Sequence, residues 1–181
     1  MEQRENQRIM LSKRLIKESL IARLGQEGIH KISIRALCEE AGINRSTFYK
    51  HYGSQYDVLA EIEEDLIRSI QATLSENDMG VMIAAICAYI EQNVSMIALL
   101  ISNNVDPEFP ARLFSLPQLK QMIVARLARH YDAATCEQIY AFLISGCYRL
   151  VEEWLCQPER QPLEEIVLLM EQLIDRICSS P

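Results

Sequence analysis

The stretch SIRALCEEAGINRSTFYKHYGSQYDVL, residues 33–59, decides how the chain folds. Ser33 can cap a helix by accepting a backbone hydrogen bond on its hydroxyl, and Leu37 lies on the apolar face of that helix. Ala41 is small, and Gly42 permits the sharp turn that follows, because glycine has no Cβ to clash in the left-handed conformation. The stretch therefore begins with a helix that ends in a tight turn.

A second, shorter helix is expected directly after that turn. Asn44 is a good capping residue for a helix that runs from Arg45 to about His51. Gly53 breaks this helix, and Ser54 can cap a longer one, from about residue 55 to residue 74. The order helix, short turn, helix is the supersecondary motif that many proteins use to bind DNA.

The short helix presents polar side chains that a DNA groove could receive. Phe48 faces inward with Ile43 and Leu37, so the other side chains face solvent. Arg45 has the fork geometry to bond N7 and O6 of guanine, and Thr47 can contact thymine. Taken one at a time, these residues would fit an ordinary polar helix surface equally well. Their order favours a helix that reads the major groove.

That order resembles the DNA-binding signature of the tetracycline-repressor (TetR) family. In this signature a capping Ser/Thr and an Arg precede the turn A-G-[VI]-[SN], then [TG]-[LF]-Y-x-[HY]-[FY] and S-K-x-x-[LV]. The resemblance covers the first quarter to third of the chain. It implies a short recognition helix, a long linking fourth helix, and an all-helical body that binds an effector and dimerises. The segments SNNVDPEF and EEWL further along resemble one C-terminal subgroup of low-GC Gram-positive bacteria.

The resemblance also implies which residues touch DNA. It marks Arg35, Arg45, Ser46, Thr47, Tyr49 and His51, and the candidate interface is completed by the capping residues Ser33 and Asn44 and by Lys50 and Gln55. Tyr49, Lys50 and His51 suit phosphate oxygens, which position a protein on DNA without specifying sequence. The chain departs from the signature at Gln55, where the family usually has Lys.

The charge distribution supports a DNA-binding end. The whole chain has a net charge of −7, which by itself argues against nucleic acid. Residues 1–55, however, carry ten Lys and Arg against six Asp and Glu, a net of +4, whereas residues 56–181 carry −11. The basic end can approach phosphates while the acidic body is repelled by them. We therefore predict two domains, a helix-turn-helix domain at 1–55 and a regulatory and dimerisation domain at 56–181.

The helices outside the motif can be placed by their apolar spacing. The first helix begins near Arg8 and is expected to end at Gly28 in the left-handed conformation. Residues 81–102 are apolar on nearly all sides and predict one central helix. Breaks are expected at 75–80 and 103–110, and further helices at Pro117 to near Tyr131, Thr135 to about Gln157 and Leu163 to about Cys178. The fold class is thus all-α.

The last two helices predict a homodimer. Each has more apolar width than one subunit needs, and Ala141, Ser145 and Gly146 would permit close approach. Paired across a two-fold axis they would form a four-helix bundle, which would let two motifs read a palindromic double-stranded operator. The alternative is that both apolar faces are buried within one subunit.

A pocket for a small-molecule effector is a further expectation for the body. The candidate residues are those that could line an apolar cavity with a few polar groups: Tyr89, Asn93, Met96, Met122, Arg126, Tyr140, Cys147 and Trp154. Core packing explains each of them as well. The sequence thus favours a repressor that releases its operator on binding an effector, and the alternative is a regulator switched by a partner protein.

Other classes of function find little support in the sequence. The three histidines lie apart, no order of nucleophile and base indicates an enzyme, and no phosphate-binding glycine loop is present. The six cysteines form no C-x-x-C pair, which predicts buried thiols in a reducing compartment, with no metal site and no cofactor. The charged start and the lack of a long apolar run predict a cytoplasmic protein with no membrane segment.

Overall fold

The computed structural model describes residues 2–73, 79–102 and 105–179, and this part of the chain forms ten α-helices without a strand. The all-α prediction is confirmed. In chain order the helices are α1 Glu2–Leu24, α2 Ile34–Ala41, α3 Arg45–Tyr49, α4 Gln55–Thr73, α5 Met79–Gln92, α6 Val94–Ser102, α7 Phe109–Phe114, α8 Pro117–Leu127, α9 Ala133–Cys156 and α10 Leu163–Ser179.

The chain divides into two compact units, residues 1–66 and 67–181, and the division falls within α4. The charge distribution predicts a boundary after residue 55. The compact unit extends further along α4 because Glu61 and Asp65 on its first half form ion pairs with lysines of α1. We call residues 1–66 the head and residues 67–181 the body.

The first helix differs from its prediction at both ends. It begins at Glu2, six residues before Arg8, and ends at Leu24. Gly28 is not a left-handed helix end: its φ is −68° and it precedes a single 3-10 turn, Ile29–Lys31. The chain has already left the helix through a turn in which the N–H groups of Gln26 and Glu27 both donate to the carbonyl of Arg23. The buried positions Ile16, Leu20 and Leu24 lie on one face, as their spacing predicts.

The predicted central helix over 81–102 is two helices, α5 and α6, with Asn93 between them. The Asn93 side-chain amide donates to the carbonyl of Tyr89 at 2.8 Å, while the Asn93 carbonyl accepts the first backbone bond of α6 from Ile97. Asparagine side chains compete in this way for backbone groups and favour helix ends. Of the breaks predicted on either side, residues 75–78 and 103–104 lie outside the described residues.

Two lysines on α1 hold α4 in place. Lys13 Nζ lies 2.9 Å from a carboxylate oxygen of Glu61, and Lys17 Nζ lies 2.8 Å from the other and also pairs with Asp65. Partial burial alone would raise the pKa of Glu61, but hydrogen bonds from Lys17 and Lys13 lower it to about 2. This network was not predictable from the sequence, because the partners in the pairs Lys13–Glu61 and Lys17–Asp65 are 48 residues apart.

Replacing Glu61 by Gln should destabilise the head in a pH-dependent manner. Because the folded-state pKa lies below the ordinary value of 4.5, the ionised carboxylate stabilises the fold fully above pH 4.5, and this contribution is lost as pH falls toward 2. We expect Glu61→Gln to lower the free energy of unfolding by roughly 2 kcal/mol at pH 7, allowing for screening by water. Chemical denaturation at pH 7 and pH 3 measures it.

Glu64→Gln provides the matched control, since Glu64 is an exposed carboxylate on the same helix. Glu64→Gln should leave the free energy of unfolding at pH 7 and at pH 3 near the wild-type values. The free energy of unfolding of Glu61→Gln should fall less steeply between pH 7 and pH 3 than that of the wild type. An equally steep fall would contradict the assignment of this pH dependence to Glu61.

The body has a core made chiefly by α8, α9 and α10. Its buried members are Ile123, Leu127, Cys136, Tyr140, Leu143 and Cys178. The helical spacing of Cys136, Tyr140, Leu143 and Trp154 predicts that this stripe of α9 faces inward, and all four residues are buried. The prediction of buried cysteines holds in part, since Cys38, Cys87, Cys136 and Cys178 are buried, Cys147 is half-buried and Cys156 is exposed.

Candidate functional site

Residues 33–51 contain a helix, a turn and a second helix. Ser33 Oγ accepts the N–H of Ala36 at 3.1 Å and so caps α2. Gly42 has φ +64°, the left-handed conformation in which a side chain would be strained, and ends α2. The N–H groups of Gly42 and Ile43 both donate to the Cys38 carbonyl, which reverses the chain over a short distance.

The short helix α3 is fixed from below by one aromatic ring. Phe48 is fully buried, and its ring centroid lies 5.6 Å from that of Tyr49 and 5.7 Å from that of Tyr52. Arg45–Tyr49 are α-helical, and the chain continues through a turn at residues 50–51, so the helix is shorter than predicted at its C-terminal end. A buried anchor under so short a helix leaves its other side chains at the surface.

The predicted DNA contacts form one polar surface around α3. Arg45, Ser46 and Lys50 are exposed, Tyr49 is 58 % exposed, and Thr47 and His51 are half-buried. Asn44 occupies the capping position, but its side chain makes no capping hydrogen bond to α3. Its amide is therefore not committed to the helix that it precedes.

Arg35 lies on the exposed surface of α2 and is paired within the protein. Its Nε lies 2.6 Å from Glu39, one turn further along the helix. The hydrogen bond and charge of Arg35 lower the pKa of Glu39. A phosphate that binds Arg35 must therefore share it with this carboxylate or displace it.

Ser54 caps the start of α4, as the sequence predicts, and Asp57 completes the cap. One carboxylate oxygen of Asp57 accepts the N–H groups of Gly53 at 2.7 Å and Ser54 at 3.1 Å, while Ser54 Oγ accepts the N–H of Asp57. This reciprocal cap occupies the N–H groups of Gly53 and Ser54, so neither is free to bind phosphate beside Gln55, where the family usually has Lys. Gln55, the first residue of α4, is half-buried.

Replacing Gln55 by Lys should strengthen DNA binding through charge alone. If the position faces the DNA backbone, the added ammonium group releases about one more counterion per subunit, and the slope of log Kd against log salt steepens accordingly. Fluorescence anisotropy on duplex DNA over a range of salt concentrations measures the slope. Gln55→Met is the uncharged control, and an unchanged slope in Gln55→Lys would mean that position 55 lies away from phosphate.

The body contains a cavity of about 330 Å³ between α8, α9 and α10, with Ile86 of α5 at its wall. Of the predicted effector contacts, Met122, Arg126 and Cys147 line it. Burial raises the pKa of the Cys147 thiol, which keeps this side chain protonated and apolar. Glu171 and Asp175 of α10, which the sequence did not predict, also line the cavity.

The other predicted effector contacts lie elsewhere in the body. Trp154 is buried, and its Nε1 donates to the carbonyl of Gln161 at 2.8 Å, so it packs the end of α9. Tyr140 belongs to the core and borders a separate groove. Tyr89, Asn93 and Met96 are half-buried and do not line the 330 Å³ cavity. The spacing of these three residues along apolar helices indicates that they are buried. It does not indicate that they line the same pocket.

Large apolar side chains are exposed on both α9 and α10 of the body. Phe142 is 71 % exposed, and Leu168, Leu169 and Leu173 of α10 are also exposed, although all four are large and apolar. Ala141, Ser145 and Gly146 are exposed on the same side of α9, and a Cβ built on Gly146 would meet no atom within 4 Å. We call Phe142, Gly146, Leu168, Leu169 and Leu173 the outer face.

The part of the chain that the structure describes contains neither a metal-ligand cluster nor a membrane-spanning helix. Within the described ranges, no three His, Cys, Asp or Glu side chains come together in a way that could hold a metal ion. None of the helices there combines the length and apolar character that a membrane crossing needs.

The motif in the head defines the class. A capped helix, a left-handed glycine turn and a short helix with a buried anchor and polar outer side chains make this a helix-turn-helix DNA-binding protein. Residues 21–62 match the family model for bacterial regulatory proteins of the tetR family, and residues 77–176 match a model for the C-terminal region of transcriptional regulators. The chain belongs to the TetR family of transcriptional regulators.

A solved structure supports the same assignment. The chain is similar to a TetR transcriptional regulator from Streptococcus agalactiae 2603V, with a TM-score of 0.74 and 25 % sequence identity over 96 % of this chain and 99 % of that one. No curated protein matches the chain in sequence.

Proposed function

We propose that this regulator is a cytoplasmic repressor that binds a palindromic operator as a homodimer and releases it when a small effector occupies the body cavity. The observation that carries the proposal is the surface of α3, where Arg45 and its polar neighbours stand over the buried Phe48. Such a helix offers a major groove both base-reading and phosphate-binding groups.

The roles within this surface follow from side-chain chemistry. Arg45 and Thr47 read base edges, while Tyr49, Lys50 and His51 bind phosphate oxygens. Ser33, Arg35, Ser46, Asn44 and Gln55 lie on neighbouring positions of α2, α3 and α4 and complete the interface. Arg35 binds phosphate only when its guanidinium group leaves Glu39 or contacts Glu39 and the phosphate together.

Replacing Arg45 by Ala tests whether this residue reads a base or only binds phosphate. We expect the affinity for the operator to fall by about 1–3 kcal/mol and the preference at one base pair of each half-site to relax, because a guanine contact is lost. Lys50→Ala is the comparison: it should weaken binding to operator and random duplex alike. Anisotropy on an operator series with single base changes measures both, and equal losses on all sequences in Arg45→Ala would assign Arg45 to phosphate.

The outer face supports the homodimer. A single helix-turn-helix covers only a few base pairs, and two on a two-fold axis read half-sites about one helical turn apart or somewhat more. Four large apolar side chains left exposed on two adjacent long helices are what a subunit interface would cover. The small residues of α9 on the same side would let two such helices approach closely.

The cavity supports a small-molecule effector over a partner protein. Its volume is at the lower end of the range for ligand pockets, and its lining is mainly apolar. An effector can release DNA only if it binds one arrangement of the two heads better than the other. Thermal shift against a metabolite collection would reveal it, whereas a protein that co-purifies with the regulator and releases it from DNA would favour the alternative.

A further inference from the structure

The cavity in the body has an uneven distribution of charge. Its walls are apolar side chains of α8, α9 and α10, among them Met122, Leu143 and Met170. Three charged side chains also line it: Arg126, Glu171 and Asp175. Since charged groups at an apolar cavity are costly unless they have a partner, the pairing of these three indicates what the cavity can accept.

Two of the three charges neutralise each other. Arg126 Nη2 lies 2.6 Å from Asp175 Oδ1, and both side chains remain partly open to solvent. Glu171, one turn before Asp175 on α10, is half-buried and has no hydrogen-bond or ion-pair partner among the residues that the structure describes. The charged lining therefore carries one negative charge that nothing in the described protein matches.

We propose that the cavity binds a small apolar molecule that carries one protonated amine, with the ammonium group on the Glu171 carboxylate. This inference rests on the proposed function, in which the cavity is the effector site. The apolar part of the molecule lies against Met122, Leu143 and Met170. The Arg126–Asp175 pair stays intact beside the ammonium group.

Other ligand charges fit the cavity less well. An anion would have to take Arg126 from Asp175 and would then lie beside two carboxylates, which repel it. A neutral apolar molecule would cover Glu171 and remove water from it without supplying a hydrogen-bond donor, which costs free energy. An amine supplies both the opposite charge and the N–H donors, and a charge-assisted hydrogen bond is stronger than a neutral one.

A matched set of three probes tests the charge preference on the wild-type protein. We would titrate the full chain with 4-phenylbutylamine, 4-phenylbutanol and 4-phenylbutyrate, which share one apolar skeleton, by calorimetry at pH 7. We expect the amine to bind on the order of tenfold more tightly than the alcohol, and the carboxylate more weakly than either. Equal binding of amine and alcohol, tighter binding of the carboxylate, or no binding of any probe would overturn the proposal.

Two variants locate the site. Glu171→Gln should reduce the affinity for the amine to that for the alcohol and leave the alcohol unchanged, whereas Glu165→Gln, an exposed carboxylate of the same helix that does not line the cavity, should change neither. Cys147→Phe should fill the cavity and weaken both. An amine preference that survives Glu171→Gln would overturn the assignment even if the wild type prefers the amine.

The same probes separate this inference from the proposed function. An amine that binds through Glu171 but leaves the protein on its operator upholds the inference and contradicts effector release by this site. The opposite result is also distinguishable. If some other compound releases the protein from its operator while the three probes bind equally well, the proposed function is upheld and the inference is contradicted.

Discussion

Phe48→Ala is expected to abolish binding to every duplex, operator or random, and to lower the free energy of unfolding of the head by about 3–5 kcal/mol. The reason is that Phe48 is fully buried and contacts the rings of Tyr49 and Tyr52. Without it, α3 has no apolar support, and an isolated helix of this length does not form in water. Thermal melting by circular dichroism and anisotropy on both kinds of DNA measure the two effects.

The conservative change Phe48→Leu is the matched control for Phe48→Ala. It keeps most of the apolar volume, so we expect it to lower stability by less and to retain DNA binding. A Phe48→Ala protein that melts with the wild type and still binds its operator would show that α3 is held by something other than this ring.

Phe142→Glu is expected to convert the proposed dimer to monomers and to weaken operator binding by on the order of a thousandfold. A charge placed at the centre of an apolar interface leaves it desolvated and unpaired, whereas in the free subunit the same charge lies in water, because Phe142 is 71 % exposed. The fold of each subunit should therefore survive. Sedimentation equilibrium measures the oligomeric state, and anisotropy measures the loss of affinity.

Two further variants make the Phe142→Glu experiment specific. Gln121→Glu adds the same charge at an exposed position of α8 away from the outer face and should leave the dimer intact. Gly146→Gln should weaken the dimer without harming the subunit, because its Cβ meets no atom of the same chain. If Phe142→Glu remains a dimer with full operator affinity, the outer face is not the subunit interface.

The motif was predictable from sequence because its signals are local. The Ser33 cap, the left-handed Gly42 and the buried Phe48 are each decided by residues within a few positions of one another, and all three lie where the sequence placed them. The stripe of α9 that begins at Cys136 was predictable for the same reason, since helical periodicity reports which side faces the core.

The remaining features depend on pairs that are distant in sequence or on competition within a helix. The ion pairs of Lys13 and Lys17 join α1 to α4, and spacing along either helix does not reveal a partner 48 residues away. The division of α5 from α6 depends on the Asn93 amide, which an apolar helix pattern conceals. For the cavity, helical periodicity identified buried residues but not which of them line the same cavity. Glu171 lines the cavity and was not predicted, whereas Trp154 was predicted and is buried elsewhere.

Operator recognition by this protein depends on α3 entering the major groove, and chemical protection of guanine tests this most directly. Dimethyl sulfate methylates N7 of guanine in the major groove and N3 of adenine in the minor groove. We expect the bound wild-type protein to protect guanine N7 in two symmetric half-sites, and Arg45→Ala to restore reactivity at one guanine of each. Guanines that stay fully reactive in a saturated complex, with protection confined to adenine N3, would contradict it.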